Sequence, residues 1–294
     1  MSTKLKGALK IIRIPNSIMM GIGVLVGLQI SNHNWYSVPL SSLFGEVLGV
    51  SNLLLPFLVG FFLSASSMAL NDYVDYEIDA INFPKKPIPA GLITRSFAFY
   101  YAILLAVMGI IIALSLLNPI SIAIAFSGII VAYLYNFLLK RRGLLGNIAV
   151  AYTTTLPFIY GASLVGMNNF FTIMILCILS FLSNLSREIV KGIVDIVGDR
   201  AIGIKTIANT KGPDFASKLA FVFIAIAVAL SFTPFILGYL NIYFIPLLIL
   251  ADFIFMYYSY LVLKKPEKNQ AYITKNRYLF AMFLSLLCFF LASI

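Results

Sequence analysis

Residues 53–79 read LLLPFLVGFFLSASSMALNDYVDYEID: a long uncharged run, then Asn71, Asp72, Asp75, Glu77 and Asp79 in quick succession. About 20 apolar residues are needed for a helix to cross the hydrocarbon of a bilayer. No Gly or Pro interrupts the passage from the apolar part into the acidic part, so one helix carries both. The reading is a membrane helix that delivers carboxylates to the membrane surface.

Similar apolar runs lie near 11–30, 97–117, 120–139, 146–166, 170–190, 216–237, 242–263 and 278–293. With the run at 52–72 they predict an all-α polytopic membrane protein of about nine transmembrane helices, organised as a single domain over 1–294. Composition agrees. The chain is 61% hydrophobic and 11% charged, whereas soluble domains carry about 25% charged residues. Asn118-Pro119 and the 166–169 segment mark tight turns between spans. No cleavable leader is expected, because no small-residue cleavage site follows the first apolar stretch. Cys177 and Cys288 fall inside apolar runs, which predicts buried thiols and no disulfide framework. The lone His33 sits in a polar loop and is read as inert.

The formal charge of +10 would point a soluble protein toward nucleic acid. Here it does not. All 21 Lys and Arg fall at the N-terminus or in alternate loops, near 85–95, 140–142, 187–218 and 264–277, and the intervening loops, near 31–46, 118–119, 166–169 and 238–241, have none. The positive-inside rule then places the N-terminus and all basic loops in the cytoplasm.

A second acidic segment, Arg187-Glu188-Ile-Val-Lys191-Gly192-Ile-Val-Asp195-Ile-Val-Gly198-Asp199, also continues an apolar helix. At 3.6 residues per turn, Asn71, Asp72, Asp75 and Asp79 share an arc of roughly 100°, and Glu77 points away. Glu188, Lys191, Asp195 and Asp199 form one stripe. Carboxylates so close repel unless a cation sits among them. Hard oxygen donors on rigid helices suit Mg²⁺, which takes one or two carboxylates and binds substrate phosphates. The competing reading is a solvated acidic face paired with nearby Lys and Arg. Two such clusters at one depth favour metal–diphosphate chemistry. Basic loops follow both clusters, with Lys85 and Lys86 after the first and Lys205 after the second.

Asn71-Asp72-x-x-Asp75-x-x-x-Asp79, followed by Asn82-x-Pro84-x-Lys86-Pro87-Ile88-Pro89-x-Gly91, resembles the first signature of the UbiA-type prenyltransferases. Asp195-x-x-Gly198-Asp199-x-x-x-Gly203-x-Lys205-Thr206 resembles the second. Arg13-x-Pro15-Asn16 and Tyr133-x-Tyr135-Asn136 match the family's habits. The resemblance implies a helical fold around a central cavity and a Mg²⁺-assisted transfer of a prenyl group from its diphosphate. It implies Asp72, Asp75, Asp195 and Asp199 as catalytic metal ligands, with Asp79 as a further ligand. Asn16, Asn71, Lys86, Tyr135, Lys140, Arg142, Lys191 and Lys205 are the expected substrate-binding residues.

The Arg187-Glu188-Ile-Val-Lys191 segment most resembles the branch of the family that makes archaeal ether-lipid precursors. That implies transfer of a geranylgeranyl group to the hydroxyl of a lipid phosphate, geranylgeranylglyceryl phosphate. Gly192 departs from the pattern, standing where many members carry another Asp, as do Lys86 and Ala90, where Arg and Ser are common. A phosphate-bearing acceptor needs cations beyond those gripping the diphosphate, and Arg13, Lys140 and Arg142 are available. The alternatives are an aromatic acceptor and, in a different class, a transporter. Transporter sites lie near the bilayer midplane, where this chain offers Asp252. That residue is either functional or paired with an Asn or Tyr of a neighbouring helix.

Overall fold

The computed structural model describes residues 3–32, 47–201 and 203–293. His33 and most of the 31–46 loop, which has no Lys or Arg, lie outside them. A short surface helix α1 (Thr3–Ile11) leads into α2 (Ile14–Ser31) through Arg13, whose backbone sits in the left-handed region at φ 46°. Then come α3 (Val47–Val74), α4 (Tyr76–Asn82), α5 (Arg95–Ser115) and α6 (Pro119–Leu134). Asn118 caps α6 by accepting from the backbone N–H groups of Ile120 and Ser121. The chain continues through α7 (Leu144–Thr153), α8 (Leu156–Ser163), α9 (Phe170–Ala201), α10 (Ile207–Thr210), α11 (Pro213–Ser231), α12 (Thr233–Ile236), α13 (Ile245–Lys264) and α14 (Lys268–Ala292).

Among the described residues, eight helices are long and apolar enough to cross a membrane, and the protein is an integral membrane protein. The remaining expected crossing, 146–166, is the discontinuous pair α7–α8. Pro157 explains the break. It has no N–H to offer the carbonyl four residues earlier, and the proline ring disfavours a helical residue before it. In a membrane the freed carbonyls need partners. Ser180 Oγ donates to Thr154 O at 3.0 Å, and Cys177 Sγ lies 3.7 Å from Thr155 O. Both cysteines are buried and free, as the sequence predicts.

Two further departures matter for the site. Helix α14 begins at Lys268, ten residues before the apolar run near 278. Residues 268–277 are too polar to read as a span, yet they bury Ala271 and Thr274 in helical phase with Tyr278. The end of α6 widens into a π-helical turn, Tyr135–Leu139, followed by a 3₁₀ turn, Lys140–Arg142. Such widened turns recur at functional sites because the extra residue re-aims the side chains beyond it.

Close backbone approach holds the helices together, as is common in membranes. Where α2 crosses α8, a Cβ added at Gly27 would collide with the Phe158 backbone, and one at Gly161 with the Val24 carbonyl. Helix α9 packs against α11 and α14, and α3 against α5. The bundle leaves a space at its centre.

Candidate active site

That space is a cavity of about 560 Å³ reached by both acidic helices. Its interior is apolar, with Met19, Val24, Leu63, Ile129, Phe158 and Leu286 among its walls. Its charged end is built from two sides. Helices α2, α3 and α4 and the turns beside them contribute Arg13, Asn71, Asp75, Asp79, Lys86 and Lys140. Helices α9 and α14 contribute Arg187, Glu188, Lys191, Asp195, Asp199 and Lys275.

On the first side the helix is not continuous through the acids. It breaks at Asp75 (φ −81°, ψ 2°). Helical hydrogen bonds still cross the break, from Asp75 N–H to Asn71 O at 2.9 Å and from Asp79 N–H to Asp75 O at 2.8 Å. The phase of the acidic face therefore survives. Asp72, Asp75 and Asp79 are 4%, 7% and 4% exposed, whereas the Glu77 side chain is 83% exposed beside Arg95. We expect Glu77→Ala to leave kcat and KM within about twofold of wild type, since exposed pairs contribute little. Loss of activity matching that of an Asp75 substitution would show the phasing to be wrong.

Each buried acid on this side has a cation. Arg13 reaches Asp72 at 2.9 Å. Lys86 bridges Asp79 at 2.6 Å and Asp72 at 3.3 Å. Lys140, just past the π turn, pairs with Asp75. Asn71 donates to Asn136 Oδ1 at 2.9 Å, locking α3 to the end of α6. Burial raises the Asp79 pKa, opposed by Lys86. Burial lowers the Lys140 pKa, opposed by the Asp75 carboxylate. The strained backbone of Arg13 is the kind held where surrounding contacts over-determine it, here the grip of its guanidinium on Asp72.

The second side is different. Asp195 and Asp199 are half-buried, line the cavity and carry no ion pair among the described residues. Glu188 accepts from Arg187 at 2.9 Å and from Lys191 at 3.3 Å. The stripe Glu188, Lys191, Asp195 and Asp199 all faces the cavity, as the helical spacing predicts.

The structure thus brings Asn16, Asn71, Asp75, Asp79, Lys86, Tyr135, Lys140, Lys191, Asp195 and Asp199 onto one cavity. Three expected residues do not line it. Asp72 is turned onto Arg13 and Lys86. Arg142 and Lys205 are exposed outside it. The turn at Gly143 (φ 58°) is packed so tightly on the Lys205 carbonyl that a Cβ there would collide with it. This contact joins the two loops backbone to backbone. Arg187 and Lys275 line the site and were not among the expected ligands. For Lys275 the available signal is the i, i+3, i+4 burial pattern in a stretch too polar to read as a span. Asp252 also lines the cavity and accepts from Ser231 Oγ at 2.7 Å, so its partner is a serine.

Among the described residues no three His, Cys, Asp or Glu side chains converge into a ready metal cage. A Mg²⁺ site does not require one, since this ion is held by one or two carboxylates, water and substrate phosphates. The donors fit that mode. Asp75 Oδ1 is buried with no hydrogen-bond partner, and Asp195 and Asp199 face the same space.

Comparison with known proteins places this geometry. The model of the UbiA prenyltransferase family matches residues 21–291. The digeranylgeranylglyceryl phosphate synthase of Methanosarcina mazei is 34% identical over 291 residues, covering 98% of this chain and 99% of the relative. A solved structure of digeranylgeranylglyceryl phosphate synthase superposes with a TM-score of 0.71 at 32% identity, covering 99% of both chains. A UbiA homologue from Archaeoglobus fulgidus, solved with DMAPP and Mg²⁺, shares the fold with a TM-score of 0.64 at 17% identity, covering 96% of this chain and 99% of that one.

Proposed function

The chain belongs to the UbiA prenyltransferase family, and from that premise we propose that it transfers a geranylgeranyl group from its diphosphate to the hydroxyl of geranylgeranylglyceryl phosphate. The observation that carries the reading is the single cavity joining an apolar interior to two acidic, cation-studded helix ends. Full-length identity of about a third to digeranylgeranylglyceryl phosphate synthases supports the acceptor.

We assign Asp75, Asp195 and Asp199 as the carboxylates that hold Mg²⁺, with Asp72 and Asp79 behind them as anchors of Arg13 and Lys86. Bound there, the ion supplies neutralisation of charge on the departing diphosphate. The chain's own residues supply the rest. Lys86 and Lys140 are held in place by their carboxylates, oriented before the C–O bond breaks, which is what makes such groups effective. The apolar walls receive the prenyl tail and keep water from the allylic carbon. Phe158, Phe255 and Phe289 line the cavity, and aromatic faces stabilise cations. The acceptor oxygen forms the ether bond to C1, the diphosphate leaves with the C–O electron pair, and the hydroxyl proton passes to the released diphosphate.

The test is a panel: purified protein, radiolabelled geranylgeranyl diphosphate, geranylgeranylglyceryl phosphate, and a hydroxybenzoate. We expect label only in the glycerophosphate lipid. Turnover of the aromatic acceptor alone would leave a prenyltransferase with a different acceptor. A transporter is disfavoured, because the acids gather at helix ends and Asp252 is satisfied by Ser231.

The proposed orientation puts the acidic helix ends on the cytoplasmic side. Both native cysteines are buried, so engineered ones report cleanly. In sealed vesicles, Glu77→Cys should react with an impermeant maleimide from the cytoplasmic face only. Tyr243→Cys, at a position 84% exposed, should react from the opposite face only. The reverse pattern would invert the topology.

A further inference from the structure

The two sides of the charged end differ in how their charges are paired. On the first, Arg13, Lys86 and Lys140 face the carboxylates of Asp72, Asp75 and Asp79, and every cation is ion-paired. On the second, Arg187, Lys191 and Lys275 line the cavity with Glu188, Asp195 and Asp199, and of these carboxylates only Glu188 is ion-paired among the described residues, with Arg187 and Lys191. Lys275 forms no ion pair among the described residues. It lies over the Tyr272 ring at 4.9 Å, and its ammonium sits in the field of Asp195, Lys191, Arg187 and Glu188. Arg187 Nε is buried without a hydrogen-bond partner. Asp195 and Asp199, assigned above to Mg²⁺, border this group. What remains on this side is a pair of unused donors, the Arg187 Nε–H and the Lys275 ammonium.

We propose that Arg187, Lys191 and Lys275 form a phosphomonoester subsite that holds the phosphate of the lipid acceptor, apart from the diphosphate site at Lys86 and Lys140. A phosphomonoester carries a charge of about −1.5 to −2 near neutral pH and three acceptor oxygens, which suit the unused donors of Arg187 and Lys275 beside Lys191. Arg suits such a ligand because its fork binds phosphate oxygens in pairs. The geometry also provides for a tail. Leu279, Met282 and Leu286 follow Lys275 on α14 at i+4, i+7 and i+11, and all line the cavity. A phosphate head at Lys275 therefore sits at the top of an apolar stripe on the same helix face.

The subsite rests on the acceptor reading above, so the test separates the two. Lys275→Gln is the primary variant, since it breaks no ion pair, and Lys275→Arg is the rescue. Equilibrium binding of geranylgeranylglyceryl phosphate and steady-state kinetics for both substrates are measured on the full chain. Lys275→Gln should raise Kd and KM for the phosphorylated acceptor about tenfold or more. KM for geranylgeranyl diphosphate should stay within about twofold, and Lys275→Arg should recover most of the loss, because a uniform binding contact moves KM and spares kcat. Binding of geranylgeranylglycerol, which has the tail and no phosphate, should be weak and equal in wild type and variant. An equal rise in KM for the prenyl diphosphate would overturn the proposal, as would unchanged acceptor binding or equal weakening of the neutral lipid. If wild type binds the lipid phosphate in a Lys275-dependent way and does not prenylate it, the subsite stands and the acceptor reading falls. If wild type does not bind it, both fall.

Discussion

Asp195→Asn is expected to lower kcat by about 10²–10³ and to leave the thermal midpoint in detergent nearly unchanged. The first half follows from its proposed role. Groups fixed where charge develops in a transition state contribute on that scale when removed singly. The second half follows from its surroundings. Asp195 lines the cavity, is half-buried, and carries no ion pair among the described residues. Its removal strands no partner, and Asn keeps the volume. Steady-state kinetics and a denaturation scan on one preparation check both. A stability loss in step with the activity loss would make Asp195 a structural residue.

Lys140→Met should behave in the opposite way. The Asp75 side chain is 11% exposed and that of Lys140 is 19% exposed, so the pair is shielded from water. Removing one member of a buried pair leaves an uncompensated charge and costs about 3–5 kcal/mol. We expect a clear drop in the thermal midpoint along with loss of activity. Replacing both members, Lys140→Met with Asp75→Asn, should recover much of the stability and none of the activity, since buried pairs exchanged for neutral groups are often neutral in stability. A single variant as stable as wild type would show that water reaches the pair.

These two expectations differ because of contacts that sequence spacing does not encode. The acidic faces were legible. A period of 3.6 residues separates Glu77 from Asp72, Asp75 and Asp79, and that period survives the break at Asp75 because the i to i+4 hydrogen bonds continue through it. The stripe from Glu188 to Asp199 was legible for the same reason. The pairing of Arg13 with Asp72 and of Lys140 with Asp75 was not, because each joins helices far apart in the chain. The split of α7 from α8 was hidden inside a continuous apolar run, although Pro157 marks it. The early start of α14 was hidden for the opposite reason. Its first turns are polar, and only the small buried stripe of Ala271 and Thr274 betrays a helix. Lys275 entered the site with that stretch.

The proposed mechanism puts prenyl diphosphate where the two acidic helices meet, with its tail in the apolar cavity. Anomalous diffraction from crystals grown with Mn²⁺ and a non-hydrolysable geranylgeranyl thiolodiphosphate measures it most directly. The expected result is an anomalous peak within bonding distance of Asp75 and of Asp195 or Asp199, with diphosphate density beside Lys86 and Lys140 and the tail running past Phe158. A peak elsewhere, such as at Asp252, or a tail lying outside the cavity would contradict it.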